Sequence, residues 1–320
     1  MRAVRVHRAG GPETLTVEEV PEPVAGPGEV LVRHEAVGVN YLDVYFRDGT
    51  YPAEFPTGAG HEAAGTVLAA GEGVTGFAAG DRVAYAVHRG AYAEQAAVPA
   101  AKVVRVPEGV GAREAAAVLL QGLAAHYLAH DTYAVKPGDT VVVLAAAGGL
   151  GRLLVQLAAH RGATVIAVTS TPDKEKQALE AGAAHALPYE GFGAKVRELT
   201  GGAGAQAVYD SVGAPTWRDS LAALGRRGHL VLCGASGGPV PPLDTDLLRT
   251  NGSLYVTRPT LGDHIATPEE LRERSARVFA LVAEGVLRPA VSRELPLERA
   301  EEAHRLLEGR GTTGKLLLVP

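Results

Sequence analysis

Between Val141 and Ala159 the chain reads V-V-V-L-A-A-A-G-G-L-G-R-L-L-V-Q-L-A-A, and no other stretch constrains the fold as strongly. Val141, Val142, Val143 and Leu144 follow the turn Lys136-Pro137-Gly138-Asp139 as an unbroken apolar run, the pattern of a parallel strand buried on both faces. Gly148, Gly149 and Gly151 then allow a tight turn and a close approach of backbone to a ligand. Behind them Leu150, Leu153, Leu154 and Leu157 mark one stripe of a helix. That helix would aim its unpaired N–H groups and positive dipole end at an anion. Strand, glycine turn and helix together predict a dinucleotide pyrophosphate site contacted by Ala147, Gly148, Gly149, Leu150 and Gly151, although Ala146 stands where the usual fingerprint has its first glycine.

The rhythm continues downstream. Thr164 to Val168 reads as a strand, Asp173 to Ala181 and Phe192 to Leu199 as helices, Gln206 to Asp210 and His229 to Cys233 as short strands. Alternation of this kind predicts a Rossmann-like, doubly wound parallel sheet that binds ligand beyond the carboxyl ends of its strands.

A chain of 320 residues has room for two domains. From Met1 to about Pro107 short alternating segments (Val30 to Val32, Gly65 to Ala69, Arg82 to Tyr85, Val103 to Val106) are separated by Pro, Gly and Asp turns, which predicts a small β-rich, barrel-like domain. An apolar helix from Ala115 to Leu128 leads out of it. Thr267-Pro268-Glu269-Glu270 offers a capping box and a proline at N1 for a helix through Val282. A helix from Leu297 to Leu307 and a strand from Lys315 to Val319 complete a tail expected to return to the first domain. The predicted division is 1–122, 123–260 and 261–320.

Composition narrows the partners. A net charge of −5 with mixed signs offers no attraction to nucleic acid or to an anionic membrane, so small molecules are expected. The single cysteine, Cys233, excludes an internal disulfide and a multi-cysteine zinc site. Arg2 to His7 alternates like a strand, and no apolar run approaches the roughly 20 residues needed to cross a bilayer. A cytoplasmic protein is expected.

G-V-N-Y-L-D-V-Y-F-R from Gly38 to Arg47, A-A-A-G-G-L-G from Ala145 to Gly151, V-Y-D-S-V-G from Val208 to Gly213 and G-S-L-Y-V-T-R-P from Gly252 to Pro259 carry a resemblance. The chain resembles, over essentially its whole length, the zinc-independent NADPH:quinone oxidoreductases of the medium-chain dehydrogenase/reductase superfamily, the group that includes ζ-crystallin. The resemblance implies a GroES-like β-barrel catalytic domain, a Rossmann-like cofactor domain, and a cleft holding NADPH and a quinone. It also implies a homodimer paired through the strand near Leu254 to Thr257. Carried over by match, Ser211, Gly213, Cys233, Gly234 and Ser236 contact the cofactor at strand ends, with Thr257 and Arg258 near the nicotinamide.

Gly60-His61-Glu62-Ala63-Ala64-Gly65 departs toward the zinc alcohol dehydrogenases, whose histidine in this motif is a metal ligand. Alignment puts Asn40 and Gln121 where that family has its two cysteine ligands, and a carboxamide is a poor substitute for thiolate toward Zn²⁺. No metal is expected, and His61 reads as a hydrogen-bonded residue of the cleft wall.

Coenzyme choice follows from the second strand. An acidic reader of the NAD ribose is expected about 20 positions past the glycine turn. Thr169 stands there instead. Ser170 and Lys174 can bind a 2′-phosphate, and Tyr189 matches a tyrosine with that role in the family. Asp173 is the residue that would oppose it.

For chemistry, a quinone or conjugated enone accepts hydride to give a delocalised anion, whereas a simple ketone gives a strongly basic alkoxide that calls for a Lewis acid. Asn40 is the candidate to donate a hydrogen bond to the substrate oxygen. Tyr45 is expected to pack on the nicotinamide or substrate, Tyr51 to stand at the mouth, Gln121 to cap the pocket, and Asp43 to orient its loop. Two alternatives remain at this level, a zinc-dependent alcohol dehydrogenase using His61 and an NADPH-binding protein with little turnover.

Overall fold

The computed structural model describes all 320 residues. Two compact units emerge, one made of residues 1–121, 265–283 and 289–320, the other of residues 122–264 and 284–288. The first part of the chain forms β1 (Arg2–Val6), β2 (Leu15–Glu19), β3 (Glu29–Val39), α1 (Tyr41–Arg47), β4 (Thr57–Gly58), β5 (Glu62–Ala70), β6 (Arg82–Ala86), β7 (Gln95–Pro99), β8 (Val103–Arg105) and α2 (Ala112–Tyr127). The middle follows with β9 (Thr140–Leu144), α3 (Gly149–His160), β10 (Thr164–Thr169), α4 (Pro172–Glu180), β11 (His185–Pro188), α5 (Phe192–Leu199), β12 (Ala205–Asp210), α6 (Trp217–Ala223), β13 (Leu224–Leu232), α7 (Asp246–Thr250) and β14 (Tyr255–Thr257). The last part adds α8 (Pro268–Ala283), β15 (Val291–Pro296), α9 (Ala300–Glu308) and β16 (Lys315–Val319).

In the second unit a six-stranded sheet runs β11-β10-β9-β12-β13-β14, every neighbouring pair parallel. Val142 of β9 sits opposite both Ile166 of β10 and Val208 of β12. The apolar run at Val141–Leu144 is buried throughout because both faces of the sheet are covered. On α3, Leu153, Leu154 and Leu157 are each 1% exposed, a burial that contributes about 1.5–3 kcal/mol per side chain. Leu150 of the expected stripe stays partly exposed, and Gly151, Val155 and Ala158 are buried instead. Two lengths differ from the sequence expectation. β13 begins at Leu224 rather than His229, and α2 runs into a turn of π-helix at Leu128–Thr132.

In the first unit β15-β16-β3-β5-β6-β8 form a sheet with β7 paired to β3, beside a small sheet β2-β1-β4. Strand β3 carries this architecture, pairing antiparallel with β5, β7 and β16. Its inward residues Val30, Val32, Val37 and Val39 join Val67, Val83, Tyr85, Tyr92, Leu316 and Leu318 in one apolar core. The capping box of α8 forms as its sequence predicts, Thr267 N donating to the Glu270 carboxylate at 3.0 Å and Glu270 N to Thr267 Oγ1 at 3.2 Å. The expected single helix at Leu297–Leu307 is a 3₁₀ turn at Leu297–Arg299 continued by α9. No helix is long and apolar enough to cross a membrane.

Candidate active site

Because the strands of the second unit are all parallel, the loops after β9, β10, β12, β13 and β14 share its carboxyl edge. Sheet order reverses between β9 and β12. At β9 the chain turns through Ala145, whose φ is 49°, and enters α3 from Gly148 with no side-chain cap, so the first N–H groups of α3 are left for an anion. Ala147 lies buried at 3% exposure. A Cβ on Gly151 would sit 2.3 Å from the Ala145 carbonyl oxygen, so this position admits glycine alone.

After β12, Asp210 is completely buried and accepts hydrogen bonds from the N–H groups of Val212 and Gly213 at 2.8 and 2.9 Å and from the hydroxyls of Thr216 and Ser220 at 2.8 Å each. It thereby shapes the turn of Ser211 and Gly213. Gly213 has φ 93°, and a Cβ there would meet the Gly238 carbonyl at 2.3 Å. Ser236 N and Oγ both donate to the Ser211 carbonyl, and a Cβ on Gly234 would lie 2.7 Å from it. The two loops are therefore fastened face to face. Cys233 just follows β13, its thiol pushed up to about 12 by burial and by the Asp210 carboxylate. Arg258, following Thr257 of β14, donates to the carbonyls of Leu232 and Gly234.

At the end of β10, Thr169 is buried with its hydroxyl unpartnered. Lys174 Nζ donates to Ser170 Oγ at 3.3 Å. Pairing of Thr169 with Pro188 brings the following Tyr189 close to this strand end, and the Tyr189 hydroxyl accepts from Ala145 N at 3.1 Å. Asp173 lies exposed in the first turn of α4.

The first unit holds a second cluster. Asn40 joins β3 to α1, 4% exposed, with its backbone N–H donated to Asp43 at 2.8 Å. Its Nδ2 donates to the Gly38 carbonyl and to Glu62, at 3.2 and 3.0 Å. Its Oδ1 accepts from Lys315 Nζ at 2.7 Å and from Gln121 Nε2 at 3.4 Å. Lys315 also donates to Glu62 at 2.6 Å, and Glu62 accepts from Leu120 N. Gln121 keeps a buried Oε1 without a partner. A Cβ on Gly38 would strike Glu62 at 2.3 Å and the Lys315 stem at 2.8 Å, so the glycine makes room for this pair.

Beside it, Asp43 Oδ1 accepts from His61 Nδ1 at 2.7 Å, and Asp43 Oδ2 accepts from the Tyr92 hydroxyl at 2.9 Å. Burial alone would raise the Asp43 carboxyl, but the His61 hydrogen bond and charge outweigh it and hold the group below the usual range. The His61 ring stacks on Phe46 with centroids 4.7 Å apart. Tyr51 stands edge-on to Phe46 at 5.5 Å and lies 5.2 Å from Tyr45. Tyr45, Phe46 and Tyr51 thus form a half-buried aromatic wall against His61.

Residues 26–108 match the family model of the alcohol dehydrogenase GroES-like domain, and residues 149–277 that of the zinc-binding dehydrogenases. A quinone oxidoreductase of Pseudomonas aeruginosa is 42% identical over 315 residues, 97% of either chain. The chain belongs to the quinone oxidoreductase family. Among other relatives of this reductase, a 2-haloacrylate reductase of a Burkholderia species is 40% identical over 99% of the chain and 98% of its own length. A mycobacterial protein solved in complex with NADPH superimposes with TM-score 0.98 at 47% identity, both chains fully covered.

The zinc in one family model's description does not suit this reductase's residues. The Asn40 carboxamide and the Lys315 ammonium already hold Glu62, and a divalent cation placed there would oppose the Lys315 charge. No group of three or more His, Cys, Asp or Glu side chains is arranged to hold a metal ion. A dinucleotide does fit, by the uncapped N-terminus of α3 and the glycine-only position Gly151 in its first turn.

One sequence expectation is corrected. Asn40 has two N–H groups and both are spent inside the protein, so it offers no donor to a substrate oxygen. Its place is to hold Glu62 and Lys315. Glu62 and Lys315 as partners, Tyr92, His304 and Asp210 were not anticipated. The signal for Lys315 was a lone charge opening an otherwise apolar strand, which only a buried partner can accommodate.

Proposed function

We propose that the protein is an NADPH-dependent reductase of quinones or conjugated enones that works without a catalytic metal. The observation that carries it is the Ser170–Lys174 pair, one hydroxyl and one ammonium 3.3 Å apart at a strand end that lacks the ribose-reading carboxylate. Ser170 and Lys174 would take the 2′-phosphate and Tyr189 would flank it. Ala147 to Gly151 would receive the pyrophosphate, and Ser211, Gly213, Cys233, Gly234, Ser236, Thr257 and Arg258 the remainder. Bound NADPH supplies hydride from its nicotinamide.

The first unit supplies the acceptor's surroundings. Tyr45 and Tyr51 give a flat aromatic surface for a planar quinone or enone. Gln121 has a free buried oxygen for its edge. The absence of a fitting Lewis-acid site matters little for such acceptors, because their reduced anion is delocalised. Unit by unit, residues 1–122 with the tail would be catalytic and residues 123–260 would bind the coenzyme. We place the protein in the cytoplasm as a homodimer paired along β14, an edge strand whose Tyr255 is 49% exposed. Light scattering in solution reads that state.

The deciding experiment measures NADPH and NADH oxidation with an ortho-quinone on chelator-stripped protein. Rapid, chelator-resistant turnover favouring NADPH is expected. Activity that disappears on stripping and returns with zinc would overturn the mechanism. Tight NADPH binding with no turnover on any acceptor would overturn the enzyme.

A further inference from the structure

The hydrogen bonds behind His61 fix where every proton lies. Arg47 has donors only, and its guanidinium meets His304 Nδ1 at 3.0 Å, so that nitrogen is unprotonated. The proton of the neutral His304 ring is therefore on Nε2, facing the Tyr92 hydroxyl at 3.0 Å. Tyr92 passes its own O–H to Asp43 at 2.9 Å. Asp43, ionised, can only accept, and takes the Nδ1 proton of His61 at 2.7 Å. One position in the chain stays variable, His61 Nε2, which makes no hydrogen bond within the protein. It belongs to a ring stacked under Phe46, in the aromatic cluster with Tyr45 and Tyr51.

We propose that His61 is the proton donor of the reduction, its imidazolium giving the Nε2 proton to the substrate anion, with Asp43, Tyr92 and His304 as positioning residues. The inference rests on the reductase reading above. Hydride brings two electrons and one hydrogen to an enone and leaves an enolate. The Nε2–H bond breaks, an O–H or C–H bond forms on that enolate, and neutral His61 regains a proton from water. A quinone follows the same balance to hydroquinone, but its stable phenolate can also collect its proton from solvent. Asp43 holds the ring by its Nδ1 side, which leaves Nε2 for the substrate, and Tyr92 and Asn40 keep that carboxylate in place. The other charged or titratable groups around His61 are Arg47 on α1, His304 on α9, the Glu62–Lys315 pair, and His88 and Arg89 after β6. His88 N donates to the His61 carbonyl at 3.3 Å, and Arg89 lies over the Phe46 ring at 4.3 Å.

The test joins a tautomer measurement on the apoprotein to kinetics. In ¹⁵N-histidine spectra, neutral His61 is expected as the Nδ1–H tautomer, and Asp43→Asn or the milder Tyr92→Phe shifts it toward a mixture. In turnover with cyclohex-2-enone, His61→Gln is expected to lower kcat by about 10²-fold. The loss with an ortho-quinone is smaller, and NADPH binding by fluorescence is unchanged. An Nε2–H tautomer in the wild type, a His61→Gln enzyme within about threefold of wild type on the enone, or a wild type that reduces quinone but no enone would each overturn the proposal. Wild-type protein that oxidises NADPH with neither acceptor sinks the reductase reading itself, and with it this inference.

Discussion

Lys315 and Glu62 form an ion pair of 2.6 Å between side chains 1% and 0% exposed, joining the last strand to β5 across 253 residues of chain. A charge taken so fully out of water depends on its partner. Lys315→Met leaves the Glu62 carboxylate uncompensated and is expected to cost about 3–5 kcal/mol in urea unfolding. Adding Glu62→Gln should recover much of that loss. If the double variant is as unstable as Lys315→Met alone, the pair is not the source of the penalty.

Acid should weaken the fold through two histidines. Burial pushes His34 and His304 from 6.5 down to about 4. The unfolded chain therefore takes up their protons below pH 6.5, while the folded protein refuses them until pH approaches 4. Their contribution to stability is complete above pH 6.5 and disappears as pH falls toward 4, by about 3 kcal/mol each. Urea midpoints followed from about pH 7 to about pH 4.5 should show this slope, and His34→Gln should flatten it. A slope unchanged by that substitution would assign the loss to other groups.

Gly151→Ala forces a methyl group to within 2.3 Å of the Ala145 carbonyl. Backbone must move on one side of the turn, at a stability cost of about 1–3 kcal/mol. Dissociation constants for NADPH by fluorescence should rise about tenfold or more, whereas Gly76→Ala, on a loop with open space around it, leaves them unchanged.

Coenzyme preference should follow the charge at position 174. Replacing Lys174 by Glu removes a charge-assisted contact and adds repulsion, so the NADPH to NADH ratio of kcat/KM is expected to fall about 10- to 100-fold. Raising salt should narrow the ratio in the wild type more than in the variant. An unaltered ratio would move the phosphate site away from Ser170 and Lys174.

The nucleotide unit was legible because each of its elements is written locally. The apolar run at Val141–Leu144, the three glycines and the leucine stripe behind them fix strand, turn and helix within a few residues, and parallel pairing places the loops together. The cluster in the first unit was much less so. Asp43, His61 and Asn40 could be picked out singly, but their partners Tyr92, His304 and Lys315 lie 49, 212 and 275 residues from the groups they bind. Register across β3 and β16 brings Lys315 to Asn40, and periodicity says nothing of which distant strand will lie alongside. Asn40 was misjudged for the same reason. An amide looks like a free donor until its neighbours are known.

The ammonium at the start of β16 also sets when this unit can be finished. A nascent chain leaving the ribosome with residues 1–121 complete would have β3 without one of its edges and Glu62 without its counter-charge. Nearly 200 more residues must be synthesised before the lysine arrives. The polar cluster around α1 is thus assembled only after the whole of the second unit has been made, and until then Glu62 must keep its water.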